Sequence, residues 1–310
     1  MSESNSQDVV RLVLVTGGAG FIGSHITDAL VARGIRVRVL DNFATGRRDY
    51  LHPAAELLEA DIRDGAAIRE AFADVDTVFH VAARPRIMFS IAHPLEAHLT
   101  NVVGTLNVLM AARAAGVRRV VYSGSSAVYG DQPAIPLRES MPPNPLNPYA
   151  LQKLTGEQYA RMFHRLYGIE TLTLRYFNVY GPRMATAGAY VTVIGVFLEQ
   201  HARRQPLTIH GDGSQTRDFT HVRDVVRANL LAMDCAIADG RALNIGRGRN
   251  LSVGAIAALI GGPVTHLERR PADARDTLAD ISQARAILGW EPEIATEEGV
   301  RELMAAQGLA

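Results

Sequence analysis

Residues 11–15, Arg-Leu-Val-Leu-Val, run straight into Thr16-Gly17-Gly18-Ala19-Gly20-Phe21-Ile22-Gly23, and no other stretch of the chain restricts its folding as much. The apolar run reads as a short buried strand. Gly17, Gly20 and Gly23 follow with G-x-x-G-x-x-G spacing. The first permits a tight turn, the second lets backbone approach an anion, and the third lets a helix pack on the strand. An amphipathic helix is predicted next, from about Phe21 to Arg33, with Gly34 as its stop. Strand, glycine turn and helix in that order aim free helical N–H groups, and a positive dipole end, at whatever lies over the turn. A diphosphate suits such a place.

The alternation continues along the chain. Strands are predicted at Arg36–Leu40, around Leu57 and Leu58, at Thr77–His80, Arg119–Tyr122 and Thr171–Leu174. Helices are predicted at Ile68–Ala73, at Leu95–Ala115 with Gly116 after it, and at Pro148–Tyr167 with Gly168 after it. This pattern predicts an α/β fold: a Rossmann-type, doubly wound parallel sheet with a smaller α/β substrate-binding domain. Residues 1–178 are expected to form the dinucleotide-binding domain, with core elements returning from about 215–245, and 179–310 to be mainly the substrate domain. Ligands on such sheets sit beyond the carboxyl ends of the strands. The loops after Val15, Leu40, His80, Tyr122 and Leu174 therefore carry the chemistry.

Composition removes several classes. Lys plus Arg and Asp plus Glu each number 32, so no basic surface for nucleic acid and no acidic tail is expected. The one cysteine, Cys235, can form neither an internal disulfide nor a structural zinc site, and beside Leu230, Leu231, Met233 and Ile237 it reads as a buried helix residue. No His-Glu-x-x-His or cysteine cluster signals a metal. No apolar run reaches the roughly 20 residues that span a bilayer. Met1–Asp8 is polar with no apolar signal region, so the expected location is the cytoplasm.

Asp41 ends the second predicted strand, 18 residues after Gly23. A carboxylate there accepts hydrogen bonds from the adenine ribose hydroxyls and repels a 2′-phosphate, which favours NAD over NADP. Arg47 and Arg48 could serve a 2′-phosphate instead, but they also read as a solvated basic loop. Asp61, after the third strand, is a candidate for the adenine edge or a capping residue.

Tyr149 and Lys153 lie four residues apart in a predicted helix and so share one face. Asn147-Pro148 starts that helix, with Asn as cap and Pro in the first turn. A tyrosine acting as a base near neutrality must come down by roughly 3 pH units, and a nearby ammonium and a nicotinamide cation both favour the phenolate. Ser123, Ser125 and Ser126 lie just past the strand ending at Tyr122, where a hydroxyl can bond a sugar oxygen or relay a proton, or simply cap a turn.

With these pieces together the chain resembles the extended short-chain dehydrogenase/reductase family, and within it the NAD-dependent nucleotide-sugar epimerase/dehydratase group. The resemblance runs from Thr16 to about Trp290. It is carried by the glycine motif, Leu40-Asp-Asn42, His80-Val-Ala-Ala83, Asn101-x-x-Gly104-Thr105, Ser123-Gly-Ser-Ser-Ala-Val-Tyr-Gly130, Tyr149-Ala-Leu-Gln-Lys153, Arg175-Tyr-Phe-Asn-Val-Tyr-Gly-Pro182 and Arg217-Asp-Phe219. It implies that Tyr149 is the acid or base at the sugar hydroxyl, that Lys153 holds the nicotinamide ribose and tunes Tyr149, and that Ser125 is the catalytic serine. Phe21, Ile22, Asn42, Ile62, Ala82, Ala83, Asn101 and Ser123 would border the cofactor. Asn178 and Thr192 would meet the sugar nucleotide, Arg217 and Arg270 its diphosphate, and Asp273 its ribose.

The resemblance leaves the reaction to be narrowed. Dehydratases of the group carry Asp-Glu after the catalytic residue, and decarboxylases a Glu; here Ser126 and Ala127 stand there, and neither is an acid or base. A 4-epimerase of a UDP-hexose remains, with a nucleotide-sugar 4-ketoreductase, a dehydrogenase or a non-catalytic NAD-binding member as alternatives. Thr186–Ile194 resembles epimerases of N-acetylated or mixed UDP-sugars, and the small Thr277 leaves room beside the sugar C2 substituent. Two positions depart from the commoner pattern: Pro85-Arg86, where Arg86 near the sugar could read a carboxylate and so leaves UDP-glucuronate open, and Gly195. Relatives pair through two long helices in a four-helix bundle, which match residues 95–115 and 148–167 and imply a homodimer.

Overall fold

The computed structural model describes residues 11–186, 191–269 and 274–309. Strands β1 (Leu12–Thr16), β2 (Arg36–Asp41), β3 (Glu56–Glu59), β4 (Val75–His80), β5 (Arg119–Ser125) and β6 (Glu170–Tyr176) are followed by β7 (Val179–Tyr180), β8 (Leu207–His210), β9 (Thr216–Asp218), β10 (Thr220–His221), β11 (Asp239–Ile245), β12 (Asn250–Ser252) and β13 (Val264–Leu267). The helices are α1 (Phe21–Ala32), α2 (Ile87–Ala92), α3 (Pro94–His98), α4 (Thr105–Ala114), α5 (Pro148–Tyr167), α6 (Val193–Ala202), α7 (Val222–Asp234), α8 (Val253–Ile260), α9 (Ser282–Leu288) and α10 (Thr296–Ala306). No helix among the described residues is long and apolar enough to cross a membrane.

The main sheet is parallel throughout, in the order β11-β6-β5-β4-β1-β2-β3. From β1 the chain builds outward through β2 and β3, then returns to lay β4, β5 and β6 on the other side. The connections diverge between β1 and β4, and this leaves a crevice over their carboxyl ends. β1 is buried on both faces, as its unbroken apolar run requires. Val13 and Val15 pack with Ile26 and Leu30 of α1 and Val225 of α7. Leu12 and Leu14 pack on the opposite face with Phe72, Val108 and Phe163. A third apolar cluster joins Phe197 of α6, Leu207 of β8, Ile256 of α8 and Leu303 of α10. The late strand β11 rejoins the main sheet beside β6, with Leu243 opposite Leu174.

Several local expectations change. The single helix expected over 95–115 is α3, a π-helical turn at Leu99–Gly104, and α4. Residues 68–73 hold only a short 3-10 turn, Arg69–Phe72. Strand β5 does not stop at Tyr122 but pairs with β6 as far as Ser125, which faces Tyr176. Cys235 is not a buried helix residue: it stands just past the end of α7, half-buried, with its thiol donating to the Ile237 carbonyl at 2.9 Å.

Candidate active site

The crevice is a cavity of about 910 Å³, bordered by the glycine loop, the ends of β2, β4, β5 and β6, and the start of α5. Gly17 sits at φ +71°, and a Cβ on Gly23 would fall 2.1 Å from the Gly17 carbonyl oxygen. Only glycine therefore lets α1 begin this close to the turn. Gly20 is the N-cap of α1 and has no side chain to offer its first N–H groups. A Cβ there would crowd the Gly17 carbonyl oxygen at 3.1 Å. These are the features that a bound diphosphate needs.

Asp41 lines the same cavity at the end of β2. Each of its oxygens accepts one backbone N–H, from Ala19 at 3.0 Å and Phe43 at 2.8 Å, which leaves each a lone pair for a ribose hydroxyl. Burial raises its pKa, and those N–H groups pull it part of the way back. Arg47 and Arg48 are engaged by Asp49 and Glu59, so neither is a waiting cation for a 2′-phosphate. Asn42 donates to Asp61 at 2.7 Å, and the Arg63 guanidinium beside it holds the Asp61 carboxyl down to about 2. Asp61 stands behind the wall, which Ala60, Ile62 and Arg63 form instead. Among the described residues, no group of three or more His, Cys, Asp or Glu side chains could hold a metal ion.

Tyr149 enters the cavity from the first turn of α5. Asn147 caps that turn by accepting from the Ala150 N–H at 2.9 Å, and the Ser90 hydroxyl accepts from the Tyr149 N–H at 3.0 Å. The Tyr149 hydroxyl lies near enough to the Ser125 side chain for Ser125 to lower its pKa. Ser125 Oγ also accepts from the Ala127 N–H at 3.2 Å, so its own hydrogen can go to the tyrosine or to a ligand.

Lys153, one turn on, is buried at 4% exposure and does not line the cavity. It donates to the Ser123 carbonyl at 2.8 Å and lies over the Tyr122 ring. Burial pushes its pKa down to about 8. Burial also raises Tyr149; what pulls it down is the Ser125 side chain and the charge of Arg86. The positive charge that lowers Tyr149 here is that of Arg86, and the Lys153 ammonium is turned to the Ser123 carbonyl. Ser123 turns its hydroxyl to Tyr176 at 3.2 Å and its carbonyl to the Lys153 ammonium.

A buried chain of hydrogen bonds ties these pieces together. Thr105 Oγ1 donates to the Asn101 carbonyl at 2.7 Å, so it must accept from His80 Nε2 at 3.0 Å. His80 Nδ1 then lacks a proton and accepts from Thr16 Oγ1 at 2.8 Å. Burial, with Lys153 nearby, pushes His80 down to about 3, which keeps the ring neutral. Asn101 sits in the π-helical turn. It clamps Arg84 by accepting from its N–H at 2.7 Å and donating to its carbonyl at 3.1 Å, and it donates to Gln152 of α5 at 2.8 Å. Asn101 therefore supports the β4 loop from behind, where Ala82 and Ala83 line the cavity.

A smaller cavity of about 540 Å³ adjoins the first, sharing Asn178, Val179, Val191, Thr192, Arg217 and Ala274 as lining. Arg217, Arg269 and Arg275 border it, and Thr192 N-caps α6 at its edge. Asn178, at φ +30°, donates to the Asp218 carbonyl at 3.1 Å and to Thr277 Oγ1 at 3.3 Å. Thr277 is buried at 7% exposure, with one face toward the larger cavity. Arg270, Asp273 and residues 187–190 of the Thr186–Ile194 segment lie outside the described residues.

The sequence reading gave no role to Ser90, Arg63, Glu157, Gln152 or Arg175, although the last two fall inside motifs quoted above. Glu157 lies one turn beyond Lys153 on α5, and Arg175 grips both of its oxygens, at 2.9 and 2.6 Å. Arg175 also donates to the Tyr129 hydroxyl at 2.7 Å, and Tyr129 donates to Asn244 of β11 at 2.7 Å. The spacing of Tyr149, Lys153 and Glu157 along one helical face was the signal available.

Comparison with known proteins places these features in context. The profile described as "NAD dependent epimerase/dehydratase family" matches residues 13–246. The UDP-glucose 4-epimerase of Mycolicibacterium smegmatis is 40% identical over 301 residues, covering 93% of this chain and 95% of its own. The crystal structure of UDP-glucose 4-epimerase from Thermotoga maritima with UDP-glucose superposes with a TM-score of 0.91 at 36% identity, covering 96% of this chain and 100% of that one. The UDP-N-acetylglucosamine 4-epimerase from Methanobrevibacter ruminantium, in complex with UDP-N-acetylmuramic acid, gives 0.90 at 34% identity, with 96% and 99% covered.

Proposed function

Since the chain belongs to the NAD-dependent epimerase/dehydratase family, we propose that it inverts C4 of a UDP-sugar through a transient 4-keto sugar. The observation that carries this reading is the Ser125–Tyr149 hydroxyl pair facing the cavity with Ser126 and Ala127 beside it. An acid–base pair for one hydroxyl is present, and the two residues after Ser125 bring no carboxylate to C5.

The residues divide the work. Tyr149 takes the proton from the sugar 4-hydroxyl and later returns it. Ser125 holds the same oxygen and shares the proton with Tyr149 Oη. Lys153, dry and one helical turn from Tyr149, would hold the nicotinamide ribose. The glycine loop and the α1 N-terminus hold the cofactor diphosphate, with Asp41 on the adenine ribose. Bound NAD supplies the capacity to accept a hydride from C4 and give it back. Asn178, Thr192 and Arg217 bind the UDP part in the adjoining cavity; Arg270 and Asp273, outside the described residues, are assigned to its diphosphate and its ribose. In this reading residues 1–178 serve the cofactor, 179–310 mainly the sugar nucleotide, and the enzyme works in the cytoplasm.

The test is a panel of UDP-sugars followed by NMR at the anomeric proton, with NAD added or withheld. Interconversion of C4 epimers by protein that releases NAD only on denaturation is the expected result. Net consumption of NAD or NADH, or loss of the C6 hydroxyl or of CO2, would overturn the reading. Thr277 is buried against the Asn178 side chain, so a tyrosine in its place intrudes on the space beside C2. Thr277→Tyr is expected to lose N-acetylated substrate at least about 10-fold more than UDP-glucose, because a lost apolar fit is worth that much; equal loss of both would remove Thr277 as the C2 determinant.

A homodimer belongs to the same reading. Leu95, Met110, Leu151 and Leu166 are 70%, 56%, 55% and 64% exposed on α3, α4 and α5, an apolar surface that a second copy would cover. Light scattering is expected to give twice the 33.6 kDa chain mass. A monomer at micromolar concentration would exclude this pairing.

A further inference from the structure

Three arginines that line the large cavity are paired with acids. Arg84 meets Glu96 at 2.9 Å, Arg63 meets Asp61 at 2.7 Å, and Arg183 meets Asp28 at 2.8 Å. Arg86 differs. It is half-buried and lines the cavity. No described residue forms a hydrogen bond or ion pair with its guanidinium, and the charge interaction it makes is with the Tyr149 hydroxyl. It is also held in place. Asn101 clamps the backbone of Arg84 on both sides, Pro85 stiffens the next step, and Arg86 itself is the extended N-cap of α2 at φ −116°.

A fixed, partly dehydrated cation with no partner is poised for an anion. The other anionic parts of the ligands already have places: one diphosphate over the α1 N-terminus, the other among Arg217, Arg269 and Arg275. What lies nearest Arg86 is the reacting end of the sugar. C5 is bonded to C4, so a group near the hydroxyl that serves O4 is within a few bonds of the C5 substituent.

We propose that the sugar this site prefers carries a carboxylate on C5, and that Arg86 is the residue that reads it. The inference rests on the 4-epimerase reading, which places C4 at Tyr149. A guanidinium fork matches both oxygens of a carboxylate, whereas a hydroxymethyl group gives it one weak contact. The pairing also suits an epimerase that keeps its carbon. Once C4 is a ketone, a C5 carboxylate belongs to a β-keto acid, which loses CO2 when the electron pair of its C–C bond moves into the ketone. Two hydrogen bonds from Arg86 hold the negative charge on the carboxylate oxygens and oppose that movement.

UDP-glucuronate and UDP-glucose should be compared by calorimetric binding and by NMR turnover, in the parent, Arg86→Gln and Arg86→Lys proteins. The parent is expected to show a kcat/KM at least about 30-fold higher for the uronate, and Arg86→Gln to lose about 100-fold of that ratio, as expected when one partner of a buried charge pair is removed. Arg86→Lys, which keeps the charge without the fork, should recover part of it. Unchanged NAD content of the variants shows that the fold is retained. A parent that turns over UDP-glucose as well as the uronate, with a ratio unmoved in both variants, overturns this inference and leaves the epimerase reading intact. Arg86-dependent binding of UDP-glucuronate with no C4 inversion of any sugar does the reverse.

Discussion

Tyr149→Phe is expected to lower kcat by about 1000-fold, equivalent to about 4 kcal/mol of barrier, with NAD content unchanged. Phenylalanine keeps the ring in its half-buried place, and the Ser90 bond to the backbone N–H survives. What disappears is the oxygen that lies beside Ser125 and feels the charge of Arg86. The parent profile should also fall on the alkaline side. Lys153, pushed down to about 8 by burial, loses its proton above that pH, and with it the ammonium proposed to hold the nicotinamide ribose. Less than a 10-fold loss in Tyr149→Phe, at any pH, would move the acid–base role to Ser125 or to a water, as the expected range for such a role is about 100- to 10000-fold.

Arg175→Met should produce the largest loss of stability. Arg175 and Glu157 are 5% and 6% exposed, and removing the guanidinium leaves the Glu157 carboxylate buried and unpaired. Breaking a buried pair in this way costs about 3–5 kcal/mol, whereas replacing both members with apolar groups of like volume is often neutral. The melting temperature of Arg175→Met is therefore expected to drop by roughly 10 °C. Adding Glu157→Leu should restore most of it. The effect reaches the chemistry because Glu157 is on α5 with Tyr149 and Lys153, so the single variant should also lose kcat at temperatures where it remains folded. Equal melting of single variant and parent would show that water reaches Glu157 and that the clamp adds nothing.

The part of this site written in local signals was readable from the sequence. The apolar run before Gly17 fixes a strand, the glycines a turn, and Asn147-Pro148 a helix start; each depends on neighbours a few residues away. What escaped depends on distant partners. Ser-Gly-Ser has poor intrinsic strand preference, yet pairing with β6 carries β5 to Ser125. That Arg84 is paired and Arg86 is not depends on Glu96 and on the Asn101 clamp, which two neighbouring arginines cannot announce. Helical spacing puts Tyr149 and Lys153 on one face and so suggests that the ammonium meets the phenol. Spacing says nothing about where a long side chain ends, and Lys153 ends on the Ser123 carbonyl.

The π-helical turn at Leu99–Gly104 escaped for a similar reason: its residues would suit an ordinary α-helix. A π turn accommodates one residue more than regular winding does, and it leaves the turns on either side close to where an unbroken α-helix would put them. Deleting one residue there would therefore give a regular helix with little rotation of Thr105 or Met110 relative to what precedes. The loss would be local. Asn101 reaches Arg84 on one side and Gln152 on the other from within this turn, and regular winding would draw it away from one of them. Lineages of this fold that carry a single gap here should keep the His80–Thr105 contact and lose the Asn101 clamp.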